Sequence, residues 1–92
     1  MQAVELRMGV NRVGRDPECE LQLNHSTISS LHCELSLSVD GVYLHDCNST
    51  NGTFLNGTRL VAHRPYPVKD GDEIRLGQMV LRVYFQSNKT RK

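Results

Sequence analysis

The sequence predicts an all-β fold: an antiparallel sandwich of about ten short strands, the first of them short or missing. Three observations predict it. Apolar and polar residues alternate with a period of two in several short runs. Turn residues punctuate those runs at intervals of roughly 8–12 positions. No stretch carries the spacing of an amphipathic helix. The 92 residues make one domain with a thin core, since a chain of this size buries only roughly 60–65% of its unfolded surface.

In order along the chain, Val4, Leu6 and Met8 alternate and read as a strand that Gly9 breaks or bulges. Val10 to Val13 continues it before Gly14. The Asp16-Pro17 turn precedes a short strand marked by Leu21 and Leu23. The clearest strand is Cys33–Val39, in strict alternation, followed by Asp40-Gly41 as a type I′ hairpin turn into Val42–Asp46. Two Asn-Gly turns, Asn51-Gly52 and Asn56-Gly57, bracket a very short apolar step. Asp70-Gly71-Asp72 opens the last hairpin, in which Glu73–Leu76 and Met79–Phe85 flank Gly77-Gln78. Residues 1–86 form the expected domain, and 87–92 a basic, flexible tail.

Composition narrows the function classes. The net charge is +1, and three of the eleven basic residues (Lys89, Arg91, Lys92) lie in the tail, leaving eight against ten acidic. A body without a basic face is not expected to bind nucleic acid. No run approaches a transmembrane length, and no charged-then-apolar leader opens the chain, so the expected location is cytoplasmic, or nuclear in a eukaryote, without membrane attachment. Cys19, Cys33 and Cys47 are an odd number and are expected as free thiols. No phosphate-binding loop or dinucleotide fingerprint is present, and no cofactor is expected.

Three loops carry the chemistry: Gly14-Arg15-Asp16-Pro17, Ser29-Ser30-Leu31-His32, and Asn48–Gly52. Alternate loops of a sandwich gather at one end, which would bring an arginine, a hydroxyl and a Thr-Asn pair to one spot. An arginine fork with hydroxyl and amide donors is suited to holding a phosphate. A Ser29–His32 nucleophile and base would lack a third member and an oxyanion site. A zinc site from Cys33, His45 and Cys47 would lack a Cys-x-x-Cys pair, and His45 and Cys47 are read as facing opposite sides of their strand; no metal is expected.

Gly14-Arg15, Ser29-x-x-His32 and Ser49-Thr50-Asn51-Gly52-Thr53, in that order and spacing, resemble the forkhead-associated (FHA) domain, with Asp70–Gly77 similar to its late hairpin. The resemblance runs from about Val10 to Val83. It implies a non-enzymatic module that binds phosphothreonine in partner proteins, downstream of a Ser/Thr kinase. Arg15 and Ser29 would contact the phosphate, with Ser30 beside them. Thr50 would flank the phosphothreonine side chain, and Asn51 would hydrogen-bond the peptide backbone. Gly14, His32, Asn48, Ser49 and Gly52 would support the site. Three positions depart from the family pattern. Ser30 stands where a basic or amide residue is usual, and Asn48 where glycine is frequent. The Val4–Val13 segment corresponds to the family's second strand. The first strand is thus expected to be short or absent, which leaves a sheet edge unpaired and implies a truncated start, a partner chain that compensates, as in an oligomer through that edge, or marginal stability. The competing reading is an assembly module of the same fold that ignores phosphate.

Overall fold

The computed structural model describes residues 4–85, which form nine strands in two sheets. The strands are β1 Gly9–Gly14, β2 Leu21–Gln22, β3 Cys33–Ser38, β4 Gly41–Asp46 and β5 Thr53–Leu55, then β6 Thr58–Arg59, β7 Tyr66–Val68, β8 Glu73–Leu76 and β9 Met79–Arg82. One sheet runs β2-β1-β3-β4-β7 and the other β6-β5-β8-β9. Alternation decides which side chains meet between them. Val13 from β1, Cys33 and Leu35 from β3 and Leu44 from β4 face Ile74 and Leu76 of β8, with Ile28, Leu60 and Val68 completing the core. Leu35 lies opposite Leu44 in the β3–β4 register, so the two bury as a cross-strand pair. No helix forms among the described residues, and none is long and apolar enough to cross a membrane.

The all-β sandwich is as expected, with four local corrections. The β1–β2 pair is parallel, Val13 opposite Leu21, rather than antiparallel. The chain after Gly14 loops back on itself, and Arg12 grips Glu20 through Nε–Oε1 at 3.1 Å and Nη2–Oε2 at 3.2 Å. That bidentate contact holds Glu20 well down, to about 2, chiefly through the Arg12 hydrogen bond. The β3–β4 turn is Val39-Asp40, not a type I′ Asp40-Gly41 turn. Neither Val39 nor Asp40 has positive φ, whereas Gly41 does (138°), and Val39 is 93% exposed. β9 ends at Arg82 rather than Phe85. Beyond it, Val83 N–H donates to Asp72 O at 3.0 Å and Phe85 N–H to Asp70 Oδ1 at 2.7 Å. Finally, Tyr66–Val68 is a strand although Pro67 cannot donate to a ladder; β7 lies at the sheet edge, where proline is tolerated.

The N-terminal segment is the largest correction. Val4–Met8 alternates yet forms no strand, and Gly9, at φ 95°, marks the break. Among the described residues no strand precedes β1, and the outer edge of β9 has no strand partner. Asn11, 1% exposed, holds the segment instead. Its Nδ2 donates to Arg7 O (2.9 Å), Gly9 O (3.3 Å) and Leu35 O (3.2 Å), while Oδ1 accepts the Arg7 N–H at 3.0 Å. The expected boundary at residue 86 lies outside the described residues.

Replacing Asn11 removes the part-buried hydrogen bonds of the Arg7 backbone and takes one from the buried Leu35 carbonyl. Asn11→Ala is therefore expected to cost about 2–3 kcal/mol in urea denaturation, more than an average surface substitution. An unchanged midpoint would show that the segment is held by something else.

Candidate functional site

Three loops and one turn meet at one end of the sandwich, and backbone contacts set their spacing. The Arg15 N–H donates to Ser29 O at 3.0 Å and the Asp16 N–H to Ser30 O at 3.1 Å, which zips the β1–β2 loop to the β2–β3 loop. Gly14 is obligatory for this approach, because a Cβ there would collide with the Ser30 carbonyl oxygen. The Arg15 guanidinium is then fixed by its own Nε–H, which donates to Ile28 O at 2.9 Å. Among the described residues its terminal nitrogens have no hydrogen-bond partner.

His32, wholly buried, joins the second and third loops. The Ser29 N–H donates to Nδ1 at 3.0 Å, so Nδ1 carries the lone pair. Nε2 therefore bears the proton and donates it to Gly52 O at 2.9 Å. Asp46 organises the third loop from within: it accepts the Ser49 hydroxyl, the Ser49 N–H (3.1 Å) and the Thr53 hydroxyl (2.6 Å). Ser49 Oγ in turn accepts the Gly52 N–H at 3.0 Å. Burial alone would push the Asp46 carboxyl up, but the hydrogen bonds from Ser49 and Thr53 prevail and hold it below the usual carboxylate range. Asn48 adopts φ 61°, the left-handed conformation that asparagine tolerates among non-glycine residues. Gly14, His32, Ser49 and Gly52 are thus buried in a frame beneath the surface, with Asn48 exposed at its edge.

Above that frame lies a shallow concavity of about 120 Å³, lined by Arg15, Thr27, Ser29, Thr50 and Asn51, with Ser26 and Ile28. Ser29 Oγ accepts the Thr50 N–H at 3.0 Å, which leaves the hydroxyl proton free to donate outward. Asn51 Nδ2 donates to Thr27 O at 2.8 Å, leaving Oδ1 as an acceptor. Four of the five sequence-predicted recognition residues come together. Ser30 does not: it is exposed and outside the lining, and its carbonyl serves the loop by accepting from Asp16 N–H and, at 3.5 Å, from Cys19 Sγ.

Sequence reasoning missed Thr27. Its hydroxyl lies 2.8 Å from His25 Nδ1 and accepts the Gln78 N–H at 3.0 Å, so it links the β2–β3 loop to the β8–β9 turn. An adjoining hollow of about 240 Å³ shares Thr27 and Asn51 and adds Arg75, Gly77 and Gln78. The Arg75 guanidinium stacks 3.9 Å from the Phe54 ring centroid and donates to Gly77 O at 2.8 Å. No motif marks Thr27; the only sequence signal is the dense polar run His25-Ser26-Thr27 between Leu23 and Ile28.

On the outer face of the five-stranded sheet, one expectation needs correcting. Residues two apart on a strand share a face, so His45 and Cys47 point the same way rather than oppositely. The structure brings both beside Glu34, the ligand atoms of all three lying within 4.8 Å of one another. Cys33 is not with them: it faces the core, where burial pushes its thiol ionisation far up. Burial, reinforced by Glu34, raises the Cys47 thiol to about 11.

A β-sandwich whose apical loops present an arginine, a free hydroxyl and an amide around a shallow hollow has the chemistry to read a peptide or an anion. The family model for the FHA domain matches residues 11–77, and the chain belongs to that family. It is 38% identical over 81 residues to the serine/threonine-protein kinase cds1 of Schizosaccharomyces pombe, covering 79% of this chain and 17% of the kinase. It is 42% identical over 74 residues to the meiosis-specific kinase MEK1 of Saccharomyces cerevisiae, covering 73% and 15%. The chain thus spans under a fifth of the length of these relatives. A structure solved in a study of phosphothreonine-dependent FHA domain interactions superposes with a TM-score of 0.82 at 33% identity, covering 89% of this chain and 82% of that one. The N-terminal FHA domain of S. cerevisiae RAD53, in complex with a phosphothreonine peptide, gives 0.66 at 38% identity, covering 76% and 59%.

His32→Ala would leave the Ser29 N–H without its partner and Gly52 O with only the longer 3.3 Å bond from the Gly77 N–H, an expected loss of about 1–3 kcal/mol in chemical denaturation. Because the Asp46 pKa is lowered on folding, its contribution is complete above the ordinary carboxylate value and lost as pH falls through the lower folded value. Melting temperature measured between neutral and strongly acid pH should therefore fall less steeply in Asp46→Asn than in the parent, from a lower starting value.

Proposed function

We propose that this domain binds phosphothreonine segments of partner proteins, the phosphate held by Arg15 and Ser29 and the peptide by Thr50 and Asn51. The observation that carries the reading is the anchored Arg15. Its Nε–H is committed to Ile28 O, so the guanidinium is already oriented at the rim of the hollow with its terminal donors unpartnered. A phosphate bears about −1.5 to −2 charge, and charge-assisted bonds from a pre-ordered arginine are the strong kind. The Ser29 hydroxyl adds a donor, and Asn51 Oδ1 accepts a peptide N–H. Burying the extra methyl of threonine against the lining is worth ~0.8 kcal/mol, roughly a fourfold preference over phosphoserine. Ser30 supplies no cation, so affinity should fall short of a site with two basic partners.

This reading contains no catalytic step. The His32 Nδ1 lone pair is occupied by the Ser29 backbone N–H, so His32 does not serve as a base for the Ser29 hydroxyl. The RAD53 domain solved with a phosphothreonine peptide, and the MEK1 FHA domain solved with a HOP1 phosphothreonine peptide, support the ligand class. The kinase relatives support a place in signalling downstream of a Ser/Thr kinase.

Isothermal titration of a phosphothreonine peptide library against its phosphoserine and unphosphorylated versions tests the proposal. Binding is expected only with phosphate and preferentially with threonine, and Arg15→Ala should weaken it by about tenfold to a hundredfold. Binding that ignores the phosphate, or an indifferent Arg15→Ala, would favour the phosphate-independent assembly module instead.

A further inference from the structure

We propose that Glu34, His45 and Cys47 form a three-ligand binding site for a zinc-class cation on the outer face of the five-stranded sheet. The placement follows from strand pairing. Glu34 of β3 lies directly opposite His45 of β4, and Cys47, the first residue beyond β4, brings its thiol beside both. Glu34 Oε1 stands 3.3 Å from His45 Nε2. That separation equals the edge of a tetrahedral site with bonds of about 2.0–2.1 Å. Cys47 Sγ completes a triangle whose sides are all within 4.8 Å, against about 3.3–3.6 Å in a tetrahedral zinc site.

The surrounding charges leave this cluster available. Arg12 is also opposite Glu34, from the other side, but its guanidinium is committed to Glu20 and to Glu18 O. Among the described residues Glu34 therefore makes no ion pair with a lysine or arginine, and its contact is the His45 ring. Carboxylate, imidazole and thiolate are a donor set that zinc accepts, whereas magnesium and calcium prefer oxygen alone. One carboxylate and one thiolate neutralise a divalent ion, and the thiol proton passes to solvent on binding. All three residues are half-buried, so solvent reaches the cluster. The inference is independent of phosphopeptide recognition.

The test is titration of the whole chain with cobalt(II) alone, followed by displacement with zinc. The expected result is one equivalent bound, with a thiolate-to-cobalt charge-transfer band and the intense visible bands of a four-coordinate ion. Zinc should bleach both. Cys47→Ser should abolish the charge-transfer band, Glu34→Gln and His45→Ala should abolish the four-coordinate visible spectrum, and Cys19→Ser should leave the spectrum intact. All three ligand residues are partly exposed, and circular dichroism confirms that each variant is folded. Absence of the bands, their survival in Cys47→Ser, or their loss in Cys19→Ser would overturn the proposal.

Discussion

Every feature of the binding surface depends on how far apart two loops stand, and a buried imidazole sets that distance. His32 accepts from Ser29 N–H through one nitrogen and donates to Gly52 O through the other. Each bond dictates the protonation of the opposite nitrogen, so the ring acts as a neutral strut with a single tautomer. The Ser29 backbone on one side and the Asn48–Gly52 loop on the other inherit their positions from it. Arg15, tied by its backbone to Ser29, inherits its position in turn. Asp46 plays the complementary part within the third loop, gathering the Ser49 and Thr53 hydroxyls so that Thr50 and Asn51 remain outermost.

The parts of this architecture legible in the sequence are those where local pattern and tertiary demand agree. β3, β4 and β8 alternate because one face of each is buried, and their turns carry glycine where the backbone needs it. The support residues were legible through the family resemblance, and two of them fill backbone roles that few residue types fill. Gly14 is forced by the Ser30 carbonyl, and Asn48 sits in a left-handed conformation. Where pattern and tertiary demand diverge, the sequence misleads. Val4, Leu6 and Met8 alternate like a strand, but Asn11 satisfies the backbone of that segment through its side chain instead. β7 was invisible because Pro67 argues against a strand unless its edge position is known. Thr27 was invisible for another reason: its role comes from contacts 24 and 51 residues away, to Asn51 and Gln78.

Face parity is a third case. Cys47, one residue past the end of β4, keeps the side that His45 faces two residues before it; the β3–β4 register adds Glu34 to them. A pairwise reading of one strand could not supply a partner from the next. Arg12, Glu34 and His45 form a continuous row across β1, β3 and β4, and the pairing of Arg12 with Glu20 sets the charge balance of the rest.

The zipper between the first two loops is made of main-chain atoms: Arg15 N–H to Ser29 O and Asp16 N–H to Ser30 O. Such bonds are indifferent to side-chain identity. Position 30 can thus exchange its side chain freely while Arg15 stays where it is. Loop spacing is consequently uncoupled from the side chain at position 30, which natural drift or an engineer can change without renegotiating the fold beneath it.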